Sequence, residues 1–487
     1  MTVRFGTDGL RGLANAELTP ELVVALGRAA ARVLARPGRS FLVGRDTRVS
    51  GPLLQAALSA GLAAEGVDVW DLGVLPTPAV AALSADRDVP AAVISASHNP
   101  FADNGIKLFA AGGSKLPDDV EGRLEAELDA VLGAVASAPP GGAGAAGRGP
   151  DQGSGSDDGS PAPDGSGTDD GSPDGDGSAP TGTAVGRLRA DPGAASWYQG
   201  HLLAALTGRL DGIRVAVDCA NGAAAGIAPA VLSQAGAEIV AVLGGEPDGF
   251  NINAGCGSTY PAGLQAAVIA HRADVGLAFD GDADRVIAVD ERGGLVDGDQ
   301  LIALFALDLR ARGRLAGDTV AVTVMTNLGF RQAMQAHGVR VHETGVGDRY
   351  VLEALDLGGW SLGGEQSGHI IFRDVATTGD GILTGMFLLG LVLRQGRPLA
   401  ELAAAAMTRL PQVLCNVRIG DRLGLEDATA VWAEVAGLEA ELGGRGRVLL
   451  RPSGTEPVVR VMVEAPTEAE AQAAAARLVD VVIRCLG

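Results

Sequence analysis

Aromatic side chains are scarce, at 3% of 487 residues. That excludes a core built on stacked rings and favours α/β layers packed with Ala, Gly, Val and Leu. Cysteine is also sparse: Cys219, Cys256, Cys415 and Cys485 stand far apart and form no metal spacing. They read as reduced structural residues of a cytoplasmic protein. Positive charge is in short supply, with 38 Lys and Arg against 59 Asp and Glu and a formal net charge of −21. Such a balance argues against nucleic acid or an anionic membrane as the main partner. No early apolar stretch is long enough for a signal peptide or a membrane span. What is present is ample apolar residue, 47% of the chain, enough for more than one core and several domains.

The most informative stretch is Ser95-Ala96-Ser97-His98-Asn99-Pro100. The apolar run Ala91 to Ile94 before it reads as a buried strand, and the proline cannot continue a ladder. A Ser-His pair therefore falls in a loop at the carboxyl end of a strand, where open α/β sheets bind ligands. Ser97 is placed to attack or to carry a phosphoryl group. Asn104-Gly105-Ile106-Lys107 follows and brings a cation back towards the loop. For this stretch, as for the loops below, a plain turn of Ser, Asn, Gly and Pro is the alternative.

In order, the chain opens on Arg4-Phe5-Gly6-Thr7-Asp8-Gly9-Leu10-Arg11-Gly12, read as a loop whose backbone approaches an anion. Thr19-Pro20-Glu21 is a helix start, with an N-cap, a proline at the first helical position and an acid in the first turn. Strands and helices then alternate, as parallel βαβ units do. From about Ala134 to Thr183 nearly every residue is Gly, Ser, Asp, Pro or Ala, with no periodicity. Such a segment cannot offset its ordering entropy by burial and is expected to be a disordered acidic insertion. The βα rhythm resumes near Asp191 and starts a third time after the acidic loop at 280–285. The expected organisation is three similar α/β units, 1–190, 191–297 and 298–411, and a smaller α+β unit, 412–487, each presenting a polar loop.

Asp280-Gly281-Asp282-Ala283-Asp284-Arg285 crowds three carboxylates that repel unless a cation holds them. Oxygen-only ligands suit a hard ion, Mg²⁺ being the usual one for phosphate chemistry. The glutamate that would complete an EF-hand is missing. Arg285 beside a metal site is useful if a second anion is there. Glu365, Ser367 and His369 lie in a Gly-rich loop suited to sugar hydroxyls. Arg451-Pro452-Ser453-Gly454-Thr455-Glu456-Pro457 offers a guanidinium fork, two hydroxyls and freed backbone N–H groups, with Arg460 a short strand away. That is the composition of a phosphate-binding loop.

The order SASHNP, DGDADR, GEQSGH, RPSGTEP is that of the α-D-phosphohexomutases, and the chain resembles that family throughout except for the insertion. Within it, FGTDGLRG, NGIK, GEQSGH and the run Val346-Gly347-Asp348-Arg349-Tyr350 resemble the glucosamine-phosphate branch most. The resemblance implies four domains around a central cleft, with one loop from each. It implies that Ser97 is carried as phosphoserine and that Mg²⁺ is bound by Asp280, Asp282, Asp284 and an oxygen on phospho-Ser97. It implies interconversion of glucosamine 6-phosphate and glucosamine 1-phosphate, with a sugar 1,6-bisphosphate as intermediate and priming activator. In that scheme Lys107 is the candidate general base and Arg11 and Arg285 balance charge. His98 orients Ser97 and His369 exchanges a proton at the sugar. Glu365 and Ser367 hold sugar hydroxyls, and Arg451, Ser453, Gly454, Thr455 and Arg460 grip the non-reacting phosphate. The competing readings are a phosphomannomutase/phosphoglucomutase of the same mechanism, a non-catalytic phosphosugar sensor and a Mg²⁺-dependent phosphatase.

Overall fold

The protein is described here from a computed structural model covering residues 5–6, 9–36, 38–137, 179–419, 424–452 and 458–487. Arg4, Thr7, Asp8, Ser453, Gly454, Thr455 and most of the acidic insertion, 138–178, lie outside the described residues.

Four sheets follow one another along the chain. The first has seven strands in the order Phe5–Gly6, Gly9–Leu13, Asp103–Phe109, Ala91–Ile94, Ser40–Arg45, Asp68–Val74, Leu188–Ala190. The second runs Leu295–Val296, Val286–Asp290, Val275–Phe279, Arg214–Asp218, Glu238–Leu243. The third runs Arg340–Thr344, Thr319–Thr323, Leu362–Gly364, Ile370–Phe372. One plan recurs in these three: parallel strands at the centre, then an antiparallel hairpin on one side. Residues 95–102, 280–285 and 365–369 are the hairpin connections, so they occupy equivalent places in three copies of one topology. The fourth sheet is antiparallel throughout, Gln412–Arg418 and Arg447–Pro452 flanking Val458–Glu464.

The units have the expected parallel βαβ pairing at their centres, and each chemical loop returns its chain as an antiparallel strand. Two expectations are corrected. The N-terminal segment is no open loop from Gly9 on: Gly9–Leu13 is a strand, with Arg11 opposite Gly105 and Leu10 opposite Ile106. Residues 10–13 pair with the strand Asp103–Phe109, and Gly9 and Leu10 with Phe5–Gly6. The composition break at Ala134 falls inside the helix Asp118–Ser137, and Gly182–Ala184 is a short 3₁₀ turn. The helix start at Thr19 is as expected, its hydroxyl accepting from the Leu22 amide and Pro20 opening the helix.

One contiguous apolar core threads the first three units, from Leu42 and Val93 through Val217 and Leu277 to Val320 and Leu362. Its central rod is the helix Gly381–Gln395, in which Ile382, Leu383, Met386, Leu388, Leu389 and Leu391 are all buried. A helix apolar on all sides must be enclosed. It belongs to the third unit in sequence yet packs on the second sheet, Gly385 lying against Leu277. The C-terminal unit has a separate core, from Val417 to Leu486. Its junction with the third unit is polar. Glu464, fully buried, accepts from Arg447, Asn327 and the Leu328 amide. Arg447 also donates to the Val324 and Thr326 carbonyls. Removing one partner of so buried a pair costs about 3–5 kcal/mol.

Beside this junction Asp299 is fully buried and accepts from the Asn327 amide at 2.8 Å. Burial, then the neighbouring Asp297, raise its pKa from 3.8 to about 7. Between those values the folded chain keeps a proton that the unfolded chain has lost, so this group makes stability fall as pH rises from about 4 to about 7. Asp299→Asn keeps the acceptor and removes the charge. It is expected to melt about 2–6 °C above wild type at pH 8, with the gap narrowing at pH 5. Thermal denaturation at the two pH values checks this, and a pH-independent gap would contradict it.

Candidate active site

The serine loop is built on the strand Ala91–Ile94, all four residues of which are buried. Past its end, Ser95 Oγ donates to Asp46 at 2.7 Å and accepts from the Ser97 amide at 2.9 Å. Ser97 takes φ +52°, the left-handed region that side chains other than Gly, Asn and Asp avoid. Its hydroxyl donates to Asp280 Oδ2 at 2.5 Å and lies 3.3 Å from His98 Nδ1. Burial, then the charges of Arg285 and Arg11, lower His98 to about 4. His98 is therefore neutral at pH 7, with Nδ1 also 3.3 Å from Arg285 Nη1.

Asp280, Asp282 and Asp284 converge: one carboxylate oxygen from each lies within 4.8 Å of the others, and all three residues are buried. A loop, not a strand, brings them together. Gly281 lets the acidic loop reach the serine loop, because a Cβ there would stand 2.5 Å from the Ser97 carbonyl. Around the trio, Thr77 Oγ1 donates to Asp282 at 2.6 Å, and Lys107 Nζ lies 2.6 Å from Asp282 and 3.1 Å from Asp284. The ammonium thus lies against two carboxylates of the trio. Burial and the two adjacent carboxylates push Asp280 well above the usual carboxylate range. Asp284 is buried too, but Lys107, His369 and Arg285 outweigh that and hold it well below. Two carboxylate oxygens, Asp282 Oδ1 and Asp284 Oδ1, are buried without a hydrogen bond. Orphaned, mutually repelling oxygens in this number fit a hard divalent cation.

The sugar-loop candidates adjoin the same centre. A Cβ at Gly368 would lie 2.1 Å from the Val286 carbonyl, so this loop rests on the strand that leaves the acidic loop. Glu365 is held by the Gly347 amide at 3.2 Å and by Ser367 Oγ at 3.3 Å. His369 is corrected. It is 1% exposed. Its Nε2 accepts from the Gly379 amide at 2.9 Å and Nδ1 lies 3.7 Å from Asp284. Both ring nitrogens face the protein, which leaves neither for a sugar proton. Arg451 and Arg460 stand directly opposite each other across two antiparallel strands. Burial and Arg460 lower the Arg451 pKa, and Arg451 Nε has no hydrogen bond. Like charges placed so are destabilising without an anion between them. The sugar loop touches this unit through Gln366 and Gln412, at 3.2 Å.

Several participants were missed from the sequence. Asp46 and Arg48 brace the serine loop, Thr77 and Asn253 contact the acidic and serine loops, and Lys115 pairs with Asp348 at 2.5 Å. Asp348 in turn lies 3.4 Å from His369 Nε2. A signal for the first pair was present: Arg45-Asp46-Thr47-Arg48 leaves a buried strand at its carboxyl end, where ligand loops are sought. The chain has only two lysines: Lys107 pairs with Asp282 and Asp284 of the trio, and Lys115 with Asp348.

These four loops, one at the same hairpin position in each of three α/β units and one in an antiparallel C-terminal unit, define a class. The chain matches phosphoglucomutase/phosphomannomutase alpha/beta/alpha domain I over residues 2–132, domain II over 198–294, domain III over 297–410 and the C-terminal domain over 414–481. It belongs to that family. It is 53% identical over 487 residues to the phosphoglucosamine mutase of Saccharopolyspora erythraea, covering 99% of each chain. It is 52% identical to that of Frankia alni, covering 99% of this chain and 98% of the other. Among solved structures it is similar to a phosphoglucomutase/phosphomannomutase family protein from Burkholderia thailandensis, at 25% identity and a TM-score of 0.74, covering 100% and 97% of the two chains. It shares the fold of Aspergillus fumigatus N-acetylphosphoglucosamine mutase, solved with GlcNAc-6P and magnesium, at 18% identity and a TM-score of 0.63, covering 99% and 96%.

A cation filling the aspartate cluster binds the folded chain alone, so it must stabilise it. At about 100 times its dissociation constant the gain is about 2.7 kcal/mol. Millimolar Mg²⁺ is expected to raise the melting temperature of wild type and to leave that of Asp282→Ala unmoved. Equal shifts in the two proteins would place the ion elsewhere.

Proposed function

We propose that this chain interconverts glucosamine 6-phosphate and glucosamine 1-phosphate through a phosphoserine enzyme. The observation that carries the chemistry is Ser97 Oγ, 2.5 Å from Asp280 at the edge of a buried carboxylate trio. The choice of sugar rests on the whole-length identity to phosphoglucosamine mutases. The units proposed with it are 1–190, 191–297, 298–411 and 412–487. A cytoplasmic location accompanies it, because a phosphorylated sugar does not cross membranes unaided.

In this reading Ser97 carries a phosphoryl group and Asp280, Asp282, Asp284 and a phosphate oxygen hold Mg²⁺. When bound, the ion offsets charge on the transferring group. The free sugar hydroxyl attacks phosphorus, the bond to Ser97 Oγ breaks, and a 1,6-bisphosphate results. The sugar turns over, Ser97 Oγ attacks the other phosphate, and the product leaves with the phosphoserine restored. A sugar 1,6-bisphosphate primes enzyme that has lost its phosphate. Lys107, reaching over the trio, takes the hydroxyl proton in its neutral amine form, having first passed its own proton to an adjacent carboxylate, and Arg11 and Arg285 balance the charge that develops. Neutral His98 orients Ser97. His369, held by the Gly379 amide and beside Asp284, steadies that carboxylate. Glu365 and Ser367 accept and donate to sugar hydroxyls. Arg451 and Arg460, with Ser453, Gly454 and Thr455, hold the phosphate that is not reacting.

Coupled assays on glucosamine, glucose and mannose 6-phosphates are expected to give the highest kcat/KM for glucosamine. Intact-mass analysis is expected to find a phosphorylated fraction that Ser97→Ala lacks. A phosphate on another residue of active enzyme would sink the carrier assignment, and a preference for glucose or mannose would move the chain to the sister activity.

Arg451 holds its phosphate in ground and transition states alike, so Arg451→Ala is expected to raise KM. Losing a charged hydrogen-bond partner costs roughly 1.5–3 kcal/mol, or about one to two decades in kcat/KM. The bisphosphate, less firmly held while it turns, should escape more often, which ³¹P NMR during turnover can count. Unchanged affinity and unchanged leakage would remove this loop from the phosphate site.

A further inference from the structure

We propose that Arg48 is a positioning residue for phosphoryl transfer, acting from behind the serine loop on its backbone; the inference rests on the mutase reading. Arg48 follows the strand Ser40–Arg45, and its side chain is fully buried. It touches no sugar. All five guanidinium N–H groups are used inside the protein. Nε donates to Asp46 Oδ2 at 2.9 Å. Nη1 donates to the carbonyls of Pro100 and Asp103, and Nη2 to those of Ser97 at 3.0 Å and Asn99 at 2.9 Å. Three carbonyls of the loop and that of Asp103, which opens the next strand, thus converge on one planar cation, a match that a lysine cannot reproduce. The circuit closes, because Asp46 also accepts from Ser95 Oγ, which accepts from the Ser97 amide. From the second unit, Asn253 Nδ2 donates to the same Ser97 and Asn99 carbonyls at 2.9 and 3.0 Å.

Stability alone is a poor reason for this arrangement. A buried ion pair often gains little over apolar residues of the same volume. What it provides is position. Ser97 sits at φ +52°, a conformation that costs about 1–3 kcal/mol and persists only where the surroundings over-determine it. Its carbonyl and those that follow are the groups held, so the hydroxyl is aimed at Asp280 by a backbone fixed on the opposite side. In-line transfer is sensitive to such aim: about 1 Å of misplacement costs on the order of 10²-fold in rate. Asn253 makes that aim depend on the second unit, which also carries Asp280.

The test measures Arg48→Lys and Asn253→Ala beside wild type, with melting temperature, kcat, KM and the rate at which a sugar 1,6-bisphosphate phosphorylates Ser97. Arg48→Lys keeps the charge and loses the fork. It is expected to lower kcat and the phosphorylation rate about 10–100-fold with KM within about threefold. Asn253→Ala, which leaves Arg48 in place, is expected to show the same split at about 3–10-fold. Should Arg48→Lys fail to fold, Asn253→Ala decides alone. Folded variants with wild-type kcat, or with a raised KM and unchanged kcat, overturn the proposal. A wild type without turnover or phosphate on Ser97 would instead overturn the mutase reading, so the two failures are distinguishable.

Discussion

Three carboxylates packed out of water within one ion's reach repel one another, and much of the molecule is arranged around that repulsion. Asp280, Asp282 and Asp284 come from one loop of the second unit, but the groups that offset them do not. Lys107 and Thr77 come from the first unit and His369 from the third. The cluster can exist only where three units meet. Of the chain's two lysines, Lys107 lies against Asp282 and Asp284, while Lys115 pairs with Asp348 beside His369. A compact ammonium on a flexible stem reaches two carboxylates at once, whereas guanidinium forks suit flat acceptors and surfaces.

The meeting is made possible by repetition. Three sheets of one topology put their hairpin connections at equivalent positions, and glycines allow backbone to approach backbone where loops touch, at Gly281 and Gly368. A single apolar core through these units, with the helix Gly381–Gln395 shared between two of them, fixes their relative placement. The C-terminal unit, with its separate core, is joined differently: its paired Glu464 and Arg447 bond to Asn327, the Leu328 amide and the Val324 and Thr326 carbonyls of the third unit. Its Arg451 and Arg460 stand directly opposite each other across two antiparallel strands.

Much of this was legible in the sequence. The run Ala91–Ile94 is short, apolar and ended by Pro100, and it is a strand. Alternating aspartates and small residues at 280–285 had to converge or repel. Thr19-Pro20-Glu21 capped a helix because its hydroxyl and its missing N–H suit a helix start whatever surrounds it. The strand Gly9–Leu13 was not legible, because three glycines in nine residues read as a loop, and only pairing with Asp103–Phe109 makes that backbone extended. The helix Gly381–Gln395 lacks an amphipathic stripe because both of its faces are covered.

Residue types and their order were thus enough for the class of fold and for the convergence of the carboxylate trio, since each depends on chemistry local to a few positions. The tertiary structure alone decided the partners. His369 could have served a sugar until its ring was found enclosed by Gly379, Asp284 and Asp348. Arg48 could have been a surface charge until four carbonyls from a segment some 50 residues later were found around it. Such assignments depend on which groups lose their water together, and that is set by the packing of distant segments, which no local pattern encodes.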